Sequence, residues 1–344
     1  MTDASPALQP AGAGRSSADT ALLFATRNAR VLAPLLTLIV LVLFFWITTD
    51  TFMRLSNFRN VITQVAPIAV AATGVTFVLL CAEIDLSIAS IATFAGMMCA
   101  WFWVGDSVSL GNAGILAAIL IAAFLGLING FFISYVGIPS FMMTLAMLTI
   151  AVGLATFIND GKQIFDVPTV LERISKVGNL FLGLPVVGWI AAAVLLVGHI
   201  VLAYTRFGRQ VYMTGGNREA AEMSGVDTRQ IIMLVMMISG LTAGMAGILF
   251  IGRLHSANPA GGQNMLIDTI AAVVLGGTSL FGGEGGMLNT VLGVLIFAVL
   301  SNGLNLLPNV SIYFKEALTG IILLCALLLN VLALRLEKYQ RRTE

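Results

Sequence analysis

The stretch GGNREAAEMSGV, residues 215–226, is a short polar segment between two apolar runs at residues 186–204 and 229–252. Its surroundings set the class of protein, because 58% of the chain is hydrophobic and only 10% is charged. A soluble domain has about 25% charged residues, so these few charges cannot cover a water-exposed globule of this size. The composition therefore predicts an all-α polytopic membrane protein, in which polar segments such as this one join apolar helices.

The polar segment carries the end signals of a two-turn helix at residues 218–224. Asn217 is a favourable N-cap residue, and Glu219 lies in the first turn, where the helix dipole favours a negative charge. Gly225 suits the left-handed position that closes a helix. Isolated helices shorter than about 12 residues are marginal in water, so we expect this one to need tertiary support or a partner.

The other side chains of this helix are small or charged. Ala220 and Ala221 keep the helix thin, and Gly216 permits a sharp turn before it. Arg218 and Glu222 have the i, i+4 spacing of a weak ion pair. Two interpretations fit: a connector that lies flat on the protein's own surface, and a plug that transmits motion to a soluble subunit.

Apolar runs of membrane-spanning length recur along the chain. A spanning helix needs roughly 20 apolar residues, and about ten such runs can be marked in the sequence. Polar or glycine-rich sequences near residues 82–87 and 276–286 predict broken helices at these two places. The approximate limits of the runs are 31–49, 62–81, 86–104, 113–134, 139–158, 186–204, 229–252, 266–281, 287–306 and 315–334.

The Lys and Arg residues predict the orientation, because cytoplasmic loops carry an excess of both. If the N-terminus is inside, residues 205–228 are inside after six crossings, and the C-terminus is inside after ten. Arg54 and Arg59 run against this assignment, since they then lie outside. Eleven of the 18 basic residues fall in three segments on the predicted cytoplasmic side: Arg15, Arg27, Arg30, Arg206, Arg209, Arg218, Arg229, Arg335, Lys338, Arg341 and Arg342.

These assignments divide the chain into three parts. Residues 1–30 are a disordered cytoplasmic tail, residues 31–334 are the transmembrane domain, and residues 335–344 are a basic cytoplasmic tail. Within the domain, residues 159–185 form a long external loop with an amphipathic segment from Pro168 to Val177. This loop is either an ordinary solvated loop or a surface helix, or it is a docking face for something outside.

Polar side chains beside the breaks and at the ends of spans are candidates for a substrate pathway, because ionisable groups at membrane depth are expensive and functional by default. Asp85 either caps the third helix in a cytoplasmic turn, or belongs to a break drawn into the bundle that lines the path. Asp268 opens the eighth span, where it caps the helix, pairs with Arg253 or contacts a solute. The candidates are Glu83, Asp85, Ser87, Asp268 and Asn305.

Several kinds of site chemistry have no sequence signal in this chain. No phosphate-binding Gly-x-x-x-x-Gly-Lys-Ser/Thr loop occurs, since the only Gly-Lys pair, Gly161–Lys162, lacks the upstream glycine. The cysteines Cys81, Cys99 and Cys325 lack metal or redox spacing. We therefore expect no cofactor in this chain, and nothing indicates a nucleic-acid partner. A transport subunit with separate ATPases and an ion-coupled secondary transporter both fit these observations.

Three ordered stretches resemble the ABC importer permeases that carry ribose, xylose, arabinose and related sugars, a family that also includes branched-chain amino acid permeases. TGGNREAAEMSGVDTRQI at residues 214–231 resembles the cytoplasmic coupling loop of that family. EIDLSIAS at 83–90 is similar to its Gly-Gly-Ile-Asp-Leu-Ser segment, although Ala82 and Glu83 replace the usual Gly-Gly pair. DTIAAVVLGGTSLFGGEGG at 268–286 resembles its late glycine-rich segment.

The resemblance implies a permease in the inner membrane that translocates a sugar or polyol, with ATP and Mg²⁺ bound by a partner ATPase. It also implies a soluble solute-binding protein outside, a second permease copy or paralogue, and surrounding lipid. Branched-chain amino acids and nucleosides are alternative solutes within this class. The residues implied to couple to the ATPase are Gly216, Asn217, Arg218, Glu219, Ala220, Ala221, Glu222 and Gly225.

Overall fold

The computed structural model describes residues 29–105, 109–262, 264–308, 311, 314–315, 317–318, 320–321, 324 and 328. Residues 1–28 of the predicted N-terminal tail and the whole C-terminal tail lie outside the described residues. Most of the tenth predicted span, residues 315–334, lies outside them as well.

The described chain is built almost entirely of helices, as expected where lipid offers no hydrogen-bonding partner and each backbone segment must satisfy its own polar groups. One two-stranded antiparallel hairpin interrupts them. The elements in chain order are α1 (Ala29–Thr48), α2 (Leu55–Leu80), α3 (Ile88–Val104), α4 (Ala113–Phe131), α5 (Ser140–Phe157), α6 (Thr169–Ser175), β1 (Leu180–Phe181), β2 (Leu184–Pro185), α7 (Val186–Tyr204), α8 (Arg206–Gly216), α9 (Arg218–Met223), α10 (Thr228–Leu254), α11 (Met265–Leu275) and α12 (Met287–Leu306).

Within the described residues, six helices are long and apolar enough to cross a membrane. They are α2, α4 with its π-helical extension, α5, α7, α10 and α12. Three shorter apolar helices, α1, α3 and α11, coincide with further predicted spans. The all-helical membrane class is therefore confirmed, whereas the count of ten and the side on which the termini lie stay predictions.

One predicted helix limit is wrong. The second helix begins at Leu55 rather than near residue 62, because Asn57 on its first turns makes a reciprocal side-chain amide pair with Asn302 of α12, at 2.9 and 3.0 Å. The polar residues at the start of this helix do not look like part of an apolar run, so the sequence pattern placed the start too late. Buried amides are tolerated there because each finds a hydrogen-bond partner. The helix of the eighth predicted span, α11, ends at Leu275, at the predicted break of residues 276–286, because the glycines after it open into a loop.

The helices α2 and α10 form the centre of the bundle. About 72% and 67% of their most apolar segments are buried, compared with 22% in α5 and α7. Helix α10 lies against α4 at very short range, since a Cβ atom at Gly126 would lie 2.9 Å from the Cα atom of Gly240 and would overlap the carbonyl of Met236. Small residues permit this approach, as is usual between helices in membranes.

The loop at residues 159–185 covers the C-terminal end of α10. Ile164 and Ala257 form an antiparallel bridge with two 2.8 Å hydrogen bonds, and Nδ1 of His255 lies 3.4 Å from Oε1 of Glu172. The predicted amphipathic segment is the helix α6, whose Leu171 is buried against α10. The surface-helix prediction is confirmed, and the docking role of this loop stays a prediction.

The bundle thus has two ends, which α10 connects. The α9 end contains residues 80–87, 206–228 and 276–286, and Glu222 of α9 accepts a hydrogen bond from Thr228, the first residue of α10. The α6 end contains residues 158–185 and 255–264. The predicted breaks and the polar segment therefore lie at the same end of the molecule.

Candidate functional site

The helix α9 has the predicted ends. The side-chain oxygen of Asn217 accepts a hydrogen bond from the backbone N–H of Ala220 at 3.0 Å. At the other end Gly225 has φ +81°, and the backbone N–H of Val226 donates to the carbonyl of Ala221 at 3.0 Å. These bonds form a Schellman closure, in which a left-handed glycine satisfies the last carbonyls of a helix.

The predicted pair between Arg218 and Glu222 is wrong. Arg218 forms an ion pair with Glu83, and Glu222 instead accepts a hydrogen bond from Thr228. The reason is burial: the side chain of Glu83 is 8% exposed, and a buried carboxylate costs much free energy without a cation nearby. An i, i+4 pair on an exposed helix contributes only about 0.2–0.5 kcal/mol, so the buried partner prevails.

The first break, between α2 and α3, is held in a defined conformation. Ala82 has φ +60°, the backbone N–H of Glu83 donates to the carbonyl of Val78 at 3.2 Å, and that of Ala82 donates to Leu79 at 2.9 Å. This is again a Schellman closure, with alanine at the left-handed position where glycine is normally found. A glycine at position 82 would adopt this conformation without strain, which fits the Gly-Gly pair that the resemblance implies for this segment.

The second break, residues 276–286, lies directly on the first break and on the turn before α9. A Cβ atom at Gly282 would lie 2.6 Å from the carbonyl oxygen of Gly215, and one at Gly215 would overlap the carbonyl of Leu80. The backbone N–H of Gly283 donates to that Leu80 carbonyl at 3.0 Å. Backbones this close leave no room for side chains, so the three segments form one rigid contact.

Tyr212 of α8 adds a further link to this contact. Its hydroxyl donates to the carbonyl oxygen of Gly285 at 3.0 Å. Burial raises the pKa of the Tyr212 hydroxyl, which keeps it protonated as a donor. No sequence signal marked this residue, because tyrosines are common near membrane surfaces and its partner lies on another element.

A buried polar cluster joins the first break to the centre of the bundle. Oδ1 of Asp85 accepts hydrogen bonds from the backbone N–H and the hydroxyl of Ser87, at 2.8 and 2.6 Å. Its Oδ2 accepts from the Ser239 hydroxyl of α10 at 2.6 Å, and Asn129 of α4 donates to the Ser87 oxygen at 3.0 Å. Asp85 therefore organises the start of α3 and also ties it to α4 and α10.

The depth of this cluster follows from the positions of its members on their helices. At about 1.5 Å per residue, Asn129 lies roughly 10 Å before the end of the π-helical extension of α4 (Phe132–Val136), and Ser239 lies roughly 16 Å from the start of α10. The exposures of Asp85, Ser87, Asn129 and Ser239 do not exceed 4%. The break is thus buried in the bundle, and Asp85 also bonds the backbone at the start of α3, so each arrangement that the sequence left open has one feature in the structure. A role of this break in lining the path stays a prediction.

The other two pathway candidates lie elsewhere. Asp268 is half-buried in the first turn of α11. Asn305 is exposed at the end of α12, where its carbonyl accepts a hydrogen bond from Nζ of Lys315 at 3.0 Å. The structure therefore brings Glu83, Asp85 and Ser87 together and leaves these two outside the cluster.

Sequence reasoning missed Asn129 and Ser239, although both carried a signal. Each is a lone polar residue inside an apolar run, GLINGFF at 126–132 and MMISGL at 236–241. Polar residues in such runs usually hydrogen-bond another helix. The described residues contain no group of three or more His, Cys, Asp or Glu side chains that could hold a metal ion.

These features define a class: an α-helical membrane protein of the transport type, with broken helices and a short polar helix attached rigidly to them. Residues 57–327 match the family described as the branched-chain amino acid transport system / permease component, and the chain belongs to this family. Together with its apolar helices, this membership places the protein in the inner membrane.

Curated relatives are similar over most of their length. The chain is 38% identical over 302 residues to the ribose import permease protein of Bacillus subtilis strain 168, covering 87% of this chain and 92% of that protein. It is 34% identical to the ribose import permease protein of Escherichia coli K12, covering 86% and 92%. It is 30% identical to the D-allose transport system permease protein of the same organism, covering 85% and 88%. No solved structure matches the chain.

Proposed function

We propose that the chain is the transmembrane permease subunit of a binding-protein-dependent ABC importer, which translocates a sugar or polyol across the inner membrane by alternating access. The observation that carries this proposal is the identity of 34–38% with ribose import permeases over nine-tenths of their length. The allose relative supports a sugar as the solute, although it does not select one sugar.

The geometry of the α9 end supports a coupling role for α9. Arg218 of α9 is paired with Glu83 of the first break, and the turn before α9 lies against both breaks. Asp85, two residues along, is bonded to Ser239 in the centre of the bundle. A force applied to α9 by an ATPase therefore reaches α10 through a short chain of contacts, without passing through a flexible linker.

The remaining parts of the importer follow from the same proposal. ATP and Mg²⁺ are bound by a separate ATPase subunit at the α9 end, since no phosphate-binding loop occurs in the sequence. A solute-binding protein delivers the solute at the α6 end, where the loop at residues 159–185 offers a surface. A second permease copy or paralogue completes the transmembrane unit, and the permease itself is not an enzyme.

The experiment is ATP-dependent uptake in vesicles that contain the chain, its ATPase and its solute-binding protein. We expect Glu219→Arg to abolish uptake and ATPase retention while membrane insertion is intact, because it reverses the charge beside the N-terminus of α9. Glu172→Arg, a charge reversal at the α6 end, is the matched control and should retain the ATPase. Full uptake by the Glu219→Arg protein would refute the coupling role of α9.

The same vesicles separate the alternative functions. The family description favours branched-chain amino acids as the second candidate class of solute, so leucine and ribose uptake are compared directly. An ion-coupled secondary transporter would accumulate solute without the ATPase and would respond to a proton or sodium gradient. Uptake that requires ATP and ignores such gradients supports the importer.

A further inference from the structure

Two large apolar side chains are almost fully exposed at the α9 end. Met223, the last residue of α9, and Phe281, in the loop at residues 276–286, are each 91% exposed, and Leu280 beside the latter is 45% exposed. These residues belong to no spanning helix, so the hydrocarbon of a bilayer does not explain their exposure. Exposed apolar groups of this kind mark interaction surfaces.

The surroundings of these side chains face water. Arg206, Arg209, Glu219 and Glu284 are all exposed at the same end of the molecule. Charged groups in the hydrocarbon core are costly, so a surface this rich in them does not lie within it. Phe281 therefore projects from a polar, water-facing surface, where an aromatic ring without a partner is unfavourable.

Contacts between backbones place Phe281 on the same surface as α9. Its neighbour Gly282 lies against Gly215, and a Cβ atom at Gly283 would lie 2.8 Å from the Cα atom of Gly216, two residues before α9 begins. A closed turn orders the backbone that carries the ring, because the backbone N–H of Ser279 donates to the carbonyl of Glu284 at 2.9 Å and the Ser279 hydroxyl accepts from the Phe281 N–H at 3.1 Å.

We propose that Phe281 and Leu280 form, together with Met223, a two-point apolar docking surface for the ATPase subunit. The helix α9 supplies one point and the glycine-rich loop supplies the other. Continuity with α9 favours the ATPase over other occupants, because a subunit seated on a six-residue helix also covers the loop that touches the turn directly before that helix. This inference rests on the proposed function, since it takes the partner of α9 to be the ATPase.

The proposal has a mechanical consequence. The loop that carries Phe281 lies on the first break through Gly282 and Gly283, whereas α9 reaches the same break through Arg218 and Glu83. An ATPase bound at both points would move the two breaks together. If the ATPase bound only at α9, the glycine-rich loop would not have to move together with α9.

The test is site-specific photo-crosslinking in the assembled complex. The partner is the ATPase subunit, recognised by its phosphate-binding loop, that co-purifies with the affinity-tagged wild-type chain. The photo-crosslinker p-benzoylphenylalanine is introduced into the chain at position 281, 223 or 165. Phe165 is the matched control, since it is an equally apolar phenylalanine with 77% exposure at the α6 end. We expect crosslinks to the ATPase from positions 281 and 223 and none from position 165.

Affinity measurements complete the test. We expect Phe281→Ala and Met223→Ala each to weaken ATPase binding about tenfold or more, as for exposed anchors at interface centres, and Phe165→Ala to leave it unchanged. Position 281 crosslinking only to lipid, or only to a second copy of the chain, would overturn the proposal, as would wild-type ATPase affinity in Phe281→Ala. If these tests fail but Glu219→Arg still releases the ATPase, only the docking surface at Phe281 and Met223 is refuted and the coupling role of α9 stands. Failure of the proposed function is recognised when the wild-type chain retains no ATPase.

Discussion

Neutralising either partner of the Arg218–Glu83 ion pair is expected to have unequal effects. Arg218→Gln leaves a carboxylate of 8% exposure without its cation, whereas Glu83→Gln leaves a guanidinium whose side chain is 46% exposed and can turn to water. Removing one partner of a fully buried pair costs about 3–5 kcal/mol. Because water reaches Arg218, we discount this to about 2 kcal/mol for Arg218→Gln, and we expect about 0.5–1 kcal/mol for Glu83→Gln.

The measurement is unfolding of the purified chain in mixed micelles, followed by loss of helicity, for both single variants and the double variant. The double variant should be about as stable as Glu83→Gln alone, because an amide at each position leaves no buried charge. The corresponding coupling energy is about 2 kcal/mol, the full cost of Arg218→Gln, and it lies within the range for residues in contact. Equal destabilisation by the two single variants, or additive losses in the double variant, would show that burial of Glu83 does not control this contact.

The same variants test transmission. If the ion pair carries force from α9 to the first break, Glu83→Gln should lower uptake per ATP hydrolysed while ATPase retention is unchanged. Unchanged uptake would mean that the ion pair only stabilises the loop. Arg218→Lys is the conservative control, because it keeps the positive charge but loses the planar fork of donors.

Three further predictions concern the backbone contacts. Ala82→Gly should stabilise the chain by about 0.5 kcal/mol, since relief of the left-handed conformation outweighs the flexibility of glycine in the unfolded chain; a loss of stability in the micelle assay would contradict this. Gly240→Ala should destabilise by about 1–3 kcal/mol or prevent folding, because its Cβ atom would overlap the Ala122 carbonyl; wild-type yield and stability would refute it. Because burial raises the pKa of Tyr212, stability should fall as the pH rises above about 10, where the unfolded chain ionises first; Tyr212→Phe should lose this fall, and an identical pH profile in that variant would exclude Tyr212 as its source.

Local signals in the sequence predicted local structure well. Asn217 and Gly225 fixed both ends of α9, because capping depends on hydrogen bonds within a few residues. The apolar runs at 186–204 and 287–306 coincide with helices, because a helix that faces lipid or the interior of the bundle is apolar along its whole length. The class of protein and the existence of the short polar helix α9 were therefore within reach of the sequence.

Contacts between distant positions were not predictable in the same way. Glu83 and Arg218 are 135 positions apart, and Asp85 and Ser239 are 154 positions apart. A single sequence shows that a carboxylate occurs near a helix break, but it does not show which cation or hydroxyl reaches it. Spacing alone predicts Glu222 as the partner of Arg218. Arg218 pairs with Glu83 instead, because the desolvation cost of an unpaired Glu83 carboxylate exceeds the free energy of any ion pair on the surface.

The departure from the Gly-Gly pair acquires a physical meaning from these contacts. A glycine at position 82 would fit the left-handed backbone without strain, so the alanine is tolerated only because the surrounding bonds hold the turn. The carboxylate at position 83 adds an ion pair to α9 that a glycine has no side chain to form. With Asp85 bonded to Ser239 on its other side, the loop is anchored at both ends. Displacement of α9 must therefore either break the Glu83 ion pair or pull the centre of the bundle with it, and the ratio of uptake to ATP hydrolysis in Glu83→Gln distinguishes these two outcomes.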